Sequence, residues 1–281
     1  MVFALPSFGK ACRTIDAPLR RVRTEGEAST LTGAAWVQQL PIQTVPEDVA
    51  TRIGDLGFAG RYIPAGPGTE PIAGDFYDLL QLEDDLVALV VGDVAGHGTT
   101  ALARMQQLRA AARAYAIQQS GPASVIDRLD RFCARLDPEA IATFWYGEYR
   151  PSTGHLTYAS AGHPPPVLTC HGDPTRLLEP ASTPPLGVGV AGEHACEHRI
   201  VLPFGAVVVA YSDGLVERHA ESLDDQLAML QETVTLACDP ARAGTATVIA
   251  AEILDRLVPN PDHAEDDVCL LVVRREPEPT G

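Results

Sequence analysis

Four apolar runs in this chain each meet an aspartate at one end, most of them with glycine beside it. LVALVVGDVAGHG (86–98) leads into Asp93, and IAGDFYD (72–78) carries Asp75. VVVAYSDGL (207–215) carries Asp213, and HAEDDVCLLVV (263–273) carries Asp266 and Asp267. A lone aspartate at a strand end is ordinarily a turn residue or a helix cap. Four in the same context ask more of the fold. If the sheets bring these ends together, four carboxylates share one cleft.

The rest of the chain reads as hairpin-linked strands interrupted by helix pairs. FAGRYIPAG, FYDLLQLEDD and LVALVVGDV are successive strands, with Asp84-Asp85 at the hairpin tip between the last two. Two helices follow, 98–119 and 122–136; Leu102, Met105, Leu108 and Ala112 share one face of the first, as core. ATFWYGEYRP and HLTYASAG are joined by the turn Pro151–Gly154, and further strands fall near PVLTC, CEHRIVL and AVVVAYSDG. Helices return at 222–237 and 244–258, the second with Val248, Ile249, Ile253, Leu254 and Leu257 as its apolar residues; DDVCLLVVRR is the last strand. Hairpin-linked strands imply mainly antiparallel sheets covered by helices, an α+β class. Residues 1–57 read as an N-terminal arm with a short linker helix near AAWVQQL (34–40), 58–275 as one domain, and 276–281 as a polar tail.

Charge narrows the partners. The 281 residues carry 21 Lys and Arg against 37 Asp and Glu, a net charge of −16. That disfavours nucleic acid and anionic membrane surfaces, whose binding rests on Lys and Arg. It suits cations or a partner with a basic face. No apolar run approaches the ~18 residues of a membrane span, and the first residues lack the order of a secretory signal. The six cysteines are scattered with no CxxC, which excludes zinc-ribbon and thioredoxin readings. Buried reduced thiols and a cytoplasmic location are the expectation.

Four clustered carboxylates repel or raise one another's pKa without a counter-charge. Two divalent cations cancel that charge, and an all-oxygen set selects Mg²⁺ or Mn²⁺ over zinc. The glycines allow a backbone carbonyl, that of Val94, to turn toward a metal. Two metals suit phosphate-ester hydrolysis by an activated water.

AGDFYD, GDVAGHG, ASAGHPPPVL, PPLGVG, VVAYSDGLVE and DDVCLLVV occur here in an order that resembles the metal-dependent protein phosphatases. More narrowly, the chain is similar to the bacterial branch related to the stage II sporulation E phosphatase, over about residues 58 to 275. The resemblance implies a four-layer α-β-β-α sandwich of two mainly antiparallel sheets flanked by helix pairs. It implies two Mn²⁺ or Mg²⁺ ions, with Asp93 bridging both, Asp75 and the Val94 carbonyl on one, and Asp213 and Asp266 on the other. Gly74, Gly96 and Asp267 then stand behind the ligands, Asp267 where the wider family often has asparagine. The implied substrate is phosphoserine or phosphothreonine on a regulatory protein, a STAS-type anti-sigma-factor antagonist. The arm is too short for the sensor domain common in this branch, so control is expected from an activator protein or from the linker, which docks on the core or pairs two chains as a homodimer. Departures are Ala73 where the first motif usually has glycine, Phe76 for a common tryptophan, and Arg150 for a common acidic residue.

Two residues have competing readings. His97 is either a general acid for the leaving oxygen or a packing and hydrogen-bonding residue of its glycine turn, with packing favoured. Arg61 is either a phosphate clamp or a surface salt-bridge partner, with the salt bridge favoured. His163 reads as a loop anchor. Other functional classes are a catalytically silent scaffold of the same fold and a two-metal hydrolase of a small phosphoester.

Overall fold

The computed structural model describes residues 48–65, 74–178, 183–189, 194–217, 222–239, 244–264 and 266–276. All of them fall in one compact unit. The arm, the linker near 34–40 and Ala73 lie outside the described residues.

Antiparallel pairing starts earlier than the sequence reading placed it. β1 (Val49–Ile53) pairs with β2 (Leu56–Ile63), so residues 49–57 belong to a sheet and not to the arm. β1 is an edge strand in which only Val49 and Ile53 turn partly inward, so it lacks an apolar alternation. β3 (Phe76–Glu83) and β4 (Leu86–Val94) form the hairpin turning at Asp84-Asp85. Then come α1 (Gly98–Ala116), α2 (Pro122–Leu136), β5 (Ala142–Arg150), β6 (His155–Ala161) and β7 (Val167–Cys170). β8 (Asp173–Leu177) is a second unforeseen edge strand, short, polar and proline-containing, as edges tend to be. β9 (His198–Val201), β10 (Val207–Tyr211), α3 (Leu223–Ala237), α4 (Ala246–Leu257) and β11 (Val268–Arg275) complete the order.

The strands make two sheets, β1-β2-β11-β10-β7-β8 and β3-β4-β5-β6-β9. Residue parity divides their side chains between layers, because successive strand residues face opposite ways. Val87, Leu89 and Val91 of β4, Val208 and Ala210 of β10, and Cys269, Leu271 and Val273 of β11 fill the space between the sheets. The alternate residues Ala88, Val90 and Val94 pack on Met105, Leu108 and Ala112 of α1 and on α2. Val207, Val209 and Tyr211 pack on Leu230 and Val234 of α3 and Ile249 and Ile253 of α4. The result is the expected α-β-β-α sandwich.

Local chemistry sets the helix starts. α2 opens with Pro122 after Gly121 at φ +86°, and the Ser222 side chain accepts the Asp225 N–H to cap α3. One side-chain expectation changes. Of the five described cysteines, all free, Cys133 and Cys269 are buried, Cys170 and Cys238 are half-buried and Cys196 is exposed. Among the described residues no helix is long and apolar enough to cross a membrane.

Asp78 of β3 sits on the helix-facing side, between Phe76 and Leu80, and is only 2 % exposed. Arg109 and Arg113 of α1 both reach it, Arg113 with Nε at 2.5 Å from Oδ2 and Nη2 at 2.9 Å from Oδ1. A buried carboxylate thus fastens α1 to the sheet.

Candidate metal centre

The strand registers bring the predicted acids to one end of the sandwich. Phe76 pairs with Gly92, so Asp75 lies beside Asp93 across the β3–β4 ladder. Tyr211 pairs with Leu270, which sets Asp213 beside the start of β11 and hence Asp266 and Asp267. Ile63 of β2 pairs with Val268 on the other side of β11.

Asp75 is 4 % exposed, and its Oδ2 is buried without a hydrogen-bond partner. Burial, then the Asp93 charge, raise its pKa well above the usual carboxylate range, while the Ser212 hydroxyl bonded to it acts the other way. Asp93 is half-buried and also raised, first by burial and then by Asp266, Asp267 and Glu217; its hydrogen bond with Asp75 opposes this. Burial and the charges of Asp93, Asp266 and Glu217 push Asp213 up to about 6. The electrostatic signature is like charge facing like charge in a partly dehydrated place.

Backbone geometry makes the Val94 carbonyl prominent. The Val94 N–H donates to Gly74 O at 3.2 Å. A Cβ on Gly74 would stand 2.2 Å from Val94 O and 3.1 Å from Asp93 Oδ1. Gly74 is therefore glycine because an oxygen occupies the space of its side chain. Gly96, at φ +110°, turns the loop into α1. Asp267 accepts the Ala65 N–H on Oδ1 at 2.9 Å and a bond from the Tyr62 hydroxyl, tying the end of β2 to β11. Its own N–H donates to Asp266 Oδ1 at 2.8 Å, which orients that exposed carboxylate.

Three contributors were not foreseen. Ser212 is fully buried; its Oγ accepts the Cys269 N–H at 2.8 Å and its N–H donates to Cys269 O at 2.9 Å, besides holding Asp75. Glu217 follows the short 3₁₀ turn Asp213–Leu215, and its N–H donates to Asp213 O at 2.7 Å. Tyr62 supports Asp267. All three resemble ordinary turn or strand residues in sequence, and only the long-range pairing gives them their place.

His97 departs from the favoured reading. It is exposed at the N-cap of α1 and makes no side-chain cap bond, so it does not pack in its turn. His163 is buried, its Nδ1 lies 2.8 Å from Thr143 Oγ1, and burial lowers its pKa to about 3, which suits a neutral loop anchor. Arg61 pairs with Asp48 at 3.6 Å and bonds the Val49 and Gly60 carbonyls, as a salt-bridge residue would.

The donor set fits hard divalent cations: carboxylates and a peptide carbonyl, with an orphaned buried oxygen on Asp75. Among the described residues, however, no three Asp, Glu, His or Cys side chains close into a ligand cluster. Like charges keep such a closure from happening unaided. Gly74→Ala tests the carbonyl directly. It is expected to displace Val94 O and weaken Mn²⁺ binding by about 10- to 100-fold in calorimetry. Wild-type affinity in a folded variant would remove Val94 from the ligand set.

A sequence profile of stage II sporulation protein E (SpoIIE) matches residues 83–276, more than half of the chain. The phosphoserine phosphatase RsbU of Bacillus subtilis (strain 168) is 26 % identical over 246 residues, covering 86 % of this chain and 69 % of that protein. The solved RsbU and RsbW domains of Rv1364c from Mycobacterium tuberculosis superpose with a TM-score of 0.73 at 30 % identity, over 85 % of this chain and 65 % of that one. The PP2C phosphatase domain of SpoIIE from Bacillus subtilis, solved with a fragment of its regulatory domain, superposes with a TM-score of 0.65 at 18 % identity, over 81 % of this chain and 64 % of that one. The chain thus spans just under two thirds of either solved neighbour.

Proposed function

The chain belongs to the family of stage II sporulation protein E, and from that premise we propose that it is a metal-dependent serine/threonine protein phosphatase acting on a regulatory phosphoprotein. The observation that carries this reading is the Asp75–Asp93 pair on adjacent strands, with a buried oxygen lacking any partner. Asp93 is assigned to both ions, Asp75 and the Val94 carbonyl to one, and Asp213 and Asp266 to the other. Bound Mn²⁺ or Mg²⁺ supplies Lewis-acid activation of water and neutralises charge on the phosphoryl oxygens.

The remaining work falls to the chain. Ser212 holds Asp75, and Gly74 leaves room for the Val94 carbonyl, at the strand ends before substrate arrives. Asp267 holds Asp266 through its backbone N–H. His97 is assigned the proton for the leaving serine oxygen; its exposure leaves its ring accessible to substrate. The substrate is assigned to the STAS class of anti-sigma-factor antagonists, a reading supported by the similarity to RsbU.

The test is turnover of a phosphoserine peptide, an aryl phosphate and a linear dinucleotide with Mn²⁺ and with EDTA. Expected is Mn²⁺-dependent release of phosphate from the first two and none from the dinucleotide. Cleavage of the dinucleotide alone would replace the protein substrate by a small phosphoester.

A further inference from the structure

We infer that His163 is a positioning residue for the candidate metal centre: its imidazole ties the two sheets together beneath the acids and so sets the separation between the acids that each sheet contributes. This rests on the two-metal reading above and gives that site a support outside its ligand set.

The centre is divided between the sheets. Asp75 and Asp93 belong to the ends of β3 and β4, whereas Asp213 and Asp266 flank β10 and β11 in the other sheet. Apolar packing between sheets is non-directional. A hydrogen-bonding side chain that touches both sheets adds direction and distance.

His163 is such a side chain. Its Nδ1 lies 2.8 Å from Thr143 Oγ1, and Thr143 is the residue of β5 paired with Asp93 of β4. Residues directly opposite in an antiparallel ladder share a face, so the hydroxyl at His163 stands in the row of Asp93. From the other sheet, the Tyr211 backbone acts on the ring in the direction that favours a proton on it, as a carbonyl does. Tyr211 ends β10, two residues before Asp213.

The sequence leaves that carbonyl open. The Ser212 N–H donates to Cys269 O of β11, so the backbone groups of Val207, Val209 and Tyr211 turn the other way, toward β7. Val207 pairs there with Thr169 and Val209 with Val167, and continuing that register sets Pro165 opposite Tyr211. Proline has no N–H to give. The imidazole comes to the place of the missing donor. Its Nε2 is buried and closes no hydrogen bond of ordinary length, so the approach to Tyr211 is a long one. A proton on Nε2 suits that carbonyl and leaves Nδ1 to accept the Thr143 hydroxyl. The other tautomer would turn a lone pair toward a carbonyl.

Anchoring the loop does not require the ring. Gly162, at φ +61°, donates its N–H to Thr183 O at 2.8 Å, and a Cβ there would run into Pro185. The Ser160 hydroxyl donates to His163 O at 3.4 Å, and the Tyr211 hydroxyl to Pro165 O at 3.1 Å. The loop backbone is fastened at three points before the ring makes any contact.

Thr143→Val, Thr143→Ser, His163→Phe and the double variant Thr143→Val, His163→Phe test the tie, each in the full chain. Mn²⁺ affinity is read by calorimetry, and the urea midpoint is read beside it. Thr143→Val removes one hydroxyl at constant shape and is expected to weaken Mn²⁺ binding about ten-fold in the folded protein. Thr143→Ser should restore it. His163→Phe should lose at least as much, and the double variant no more than His163→Phe alone. Nitrogen NMR of the wild-type His163 ring should show the proton on Nε2. A residue that only anchors its loop would lower the urea midpoint and leave Mn²⁺ affinity unchanged, which would overturn the inference. So would additive losses in the double variant, or a ring proton on Nδ1. Wild type that binds no Mn²⁺ would sink the metal reading and the tie with it. Mn²⁺-loaded wild type that hydrolyses no phosphoserine peptide would sink the phosphatase reading alone, because turnover is not what these variants are scored on.

Discussion

Asp93→Asn is expected to lower Mn²⁺-dependent turnover of a phosphoserine peptide by about 10³-fold or more. On the proposed two-metal reading Asp93 would serve both cations, an amide would replace it poorly, and its loss would withdraw several kcal/mol of transition-state stabilisation. The same substitution should act oppositely on the metal-free fold. Asp75, Asp93 and Asp213 all have raised pKa values, with burial as the first cause and neighbouring carboxylates behind it. A raised carboxylate holds its proton in the folded state where the unfolded chain has released it. Stability from that group is therefore fully present below about pH 4 and falls as pH rises, for Asp213 through about 6.

Asparagine at 93 removes one charge from this group. In EDTA the variant should unfold at higher urea than wild type at pH 7, by on the order of 1 kcal/mol. The decline of stability between pH 4 and 6 should also be shallower. With Mn²⁺ the order reverses, because only wild type gains the full linkage stabilisation from binding. Equal stability of both proteins in EDTA at pH 7 would show that Asp93 is not part of a repelling cluster. Retained turnover would show that it is not a bridging ligand.

The acids were legible because each sits where an apolar alternation stops, a local pattern that needs no partner to be seen. The layering was legible for the same reason: Val87, Leu89 and Val91 against Ala88 and Val90 give the two faces of β4 directly. What escaped depends on pairing across the chain. β11 lies between β2 and β10, so the Ala65 N–H meets Asp267 from 202 residues away. Ser212 acquires its two roles only when β10 is laid against β11 and the opposing sheet. Edge strands β1 and β8 lack the alternation that marks a half-buried strand, since little of either is covered. His97 shows the limit from the other side. Its glycine-rich context suggested packing, whereas the loop leaves it exposed.

Asp78 was the most consequential residue to pass unnoticed, and its replacement by alanine carries the largest expected loss of stability, about 3–5 kcal/mol in urea denaturation. In sequence it is one more polar residue after Asp75. In the fold it interrupts the helix-facing row of β3, where only a paired charge is tolerable. Arg109 and Arg113 each approach it with two nitrogens, and their side chains are 13 % and 32 % exposed. Removing the carboxylate leaves two guanidinium groups facing each other over an apolar layer. Arg113 has solvent within reach, so the greater cost falls on Arg109. Asn at 78 should recover part of the loss through its acceptor oxygen. Replacing all three by Leu and Met should recover most of it, because a packed apolar trio needs no counter-charge. The consequence reaches the metal centre. Asp75 precedes Asp78 by three residues on the same chain segment, and α1 begins at Gly98 immediately after the loop of Asp93 and Val94. A loosened α1 should therefore weaken Mn²⁺ binding in Asp78→Ala at temperatures where the protein is still folded. The apolar triple replacement, which refastens the helix, should restore it. Full recovery of stability without recovery of Mn²⁺ affinity would assign Asp78 an electrostatic part in the site beyond its structural one.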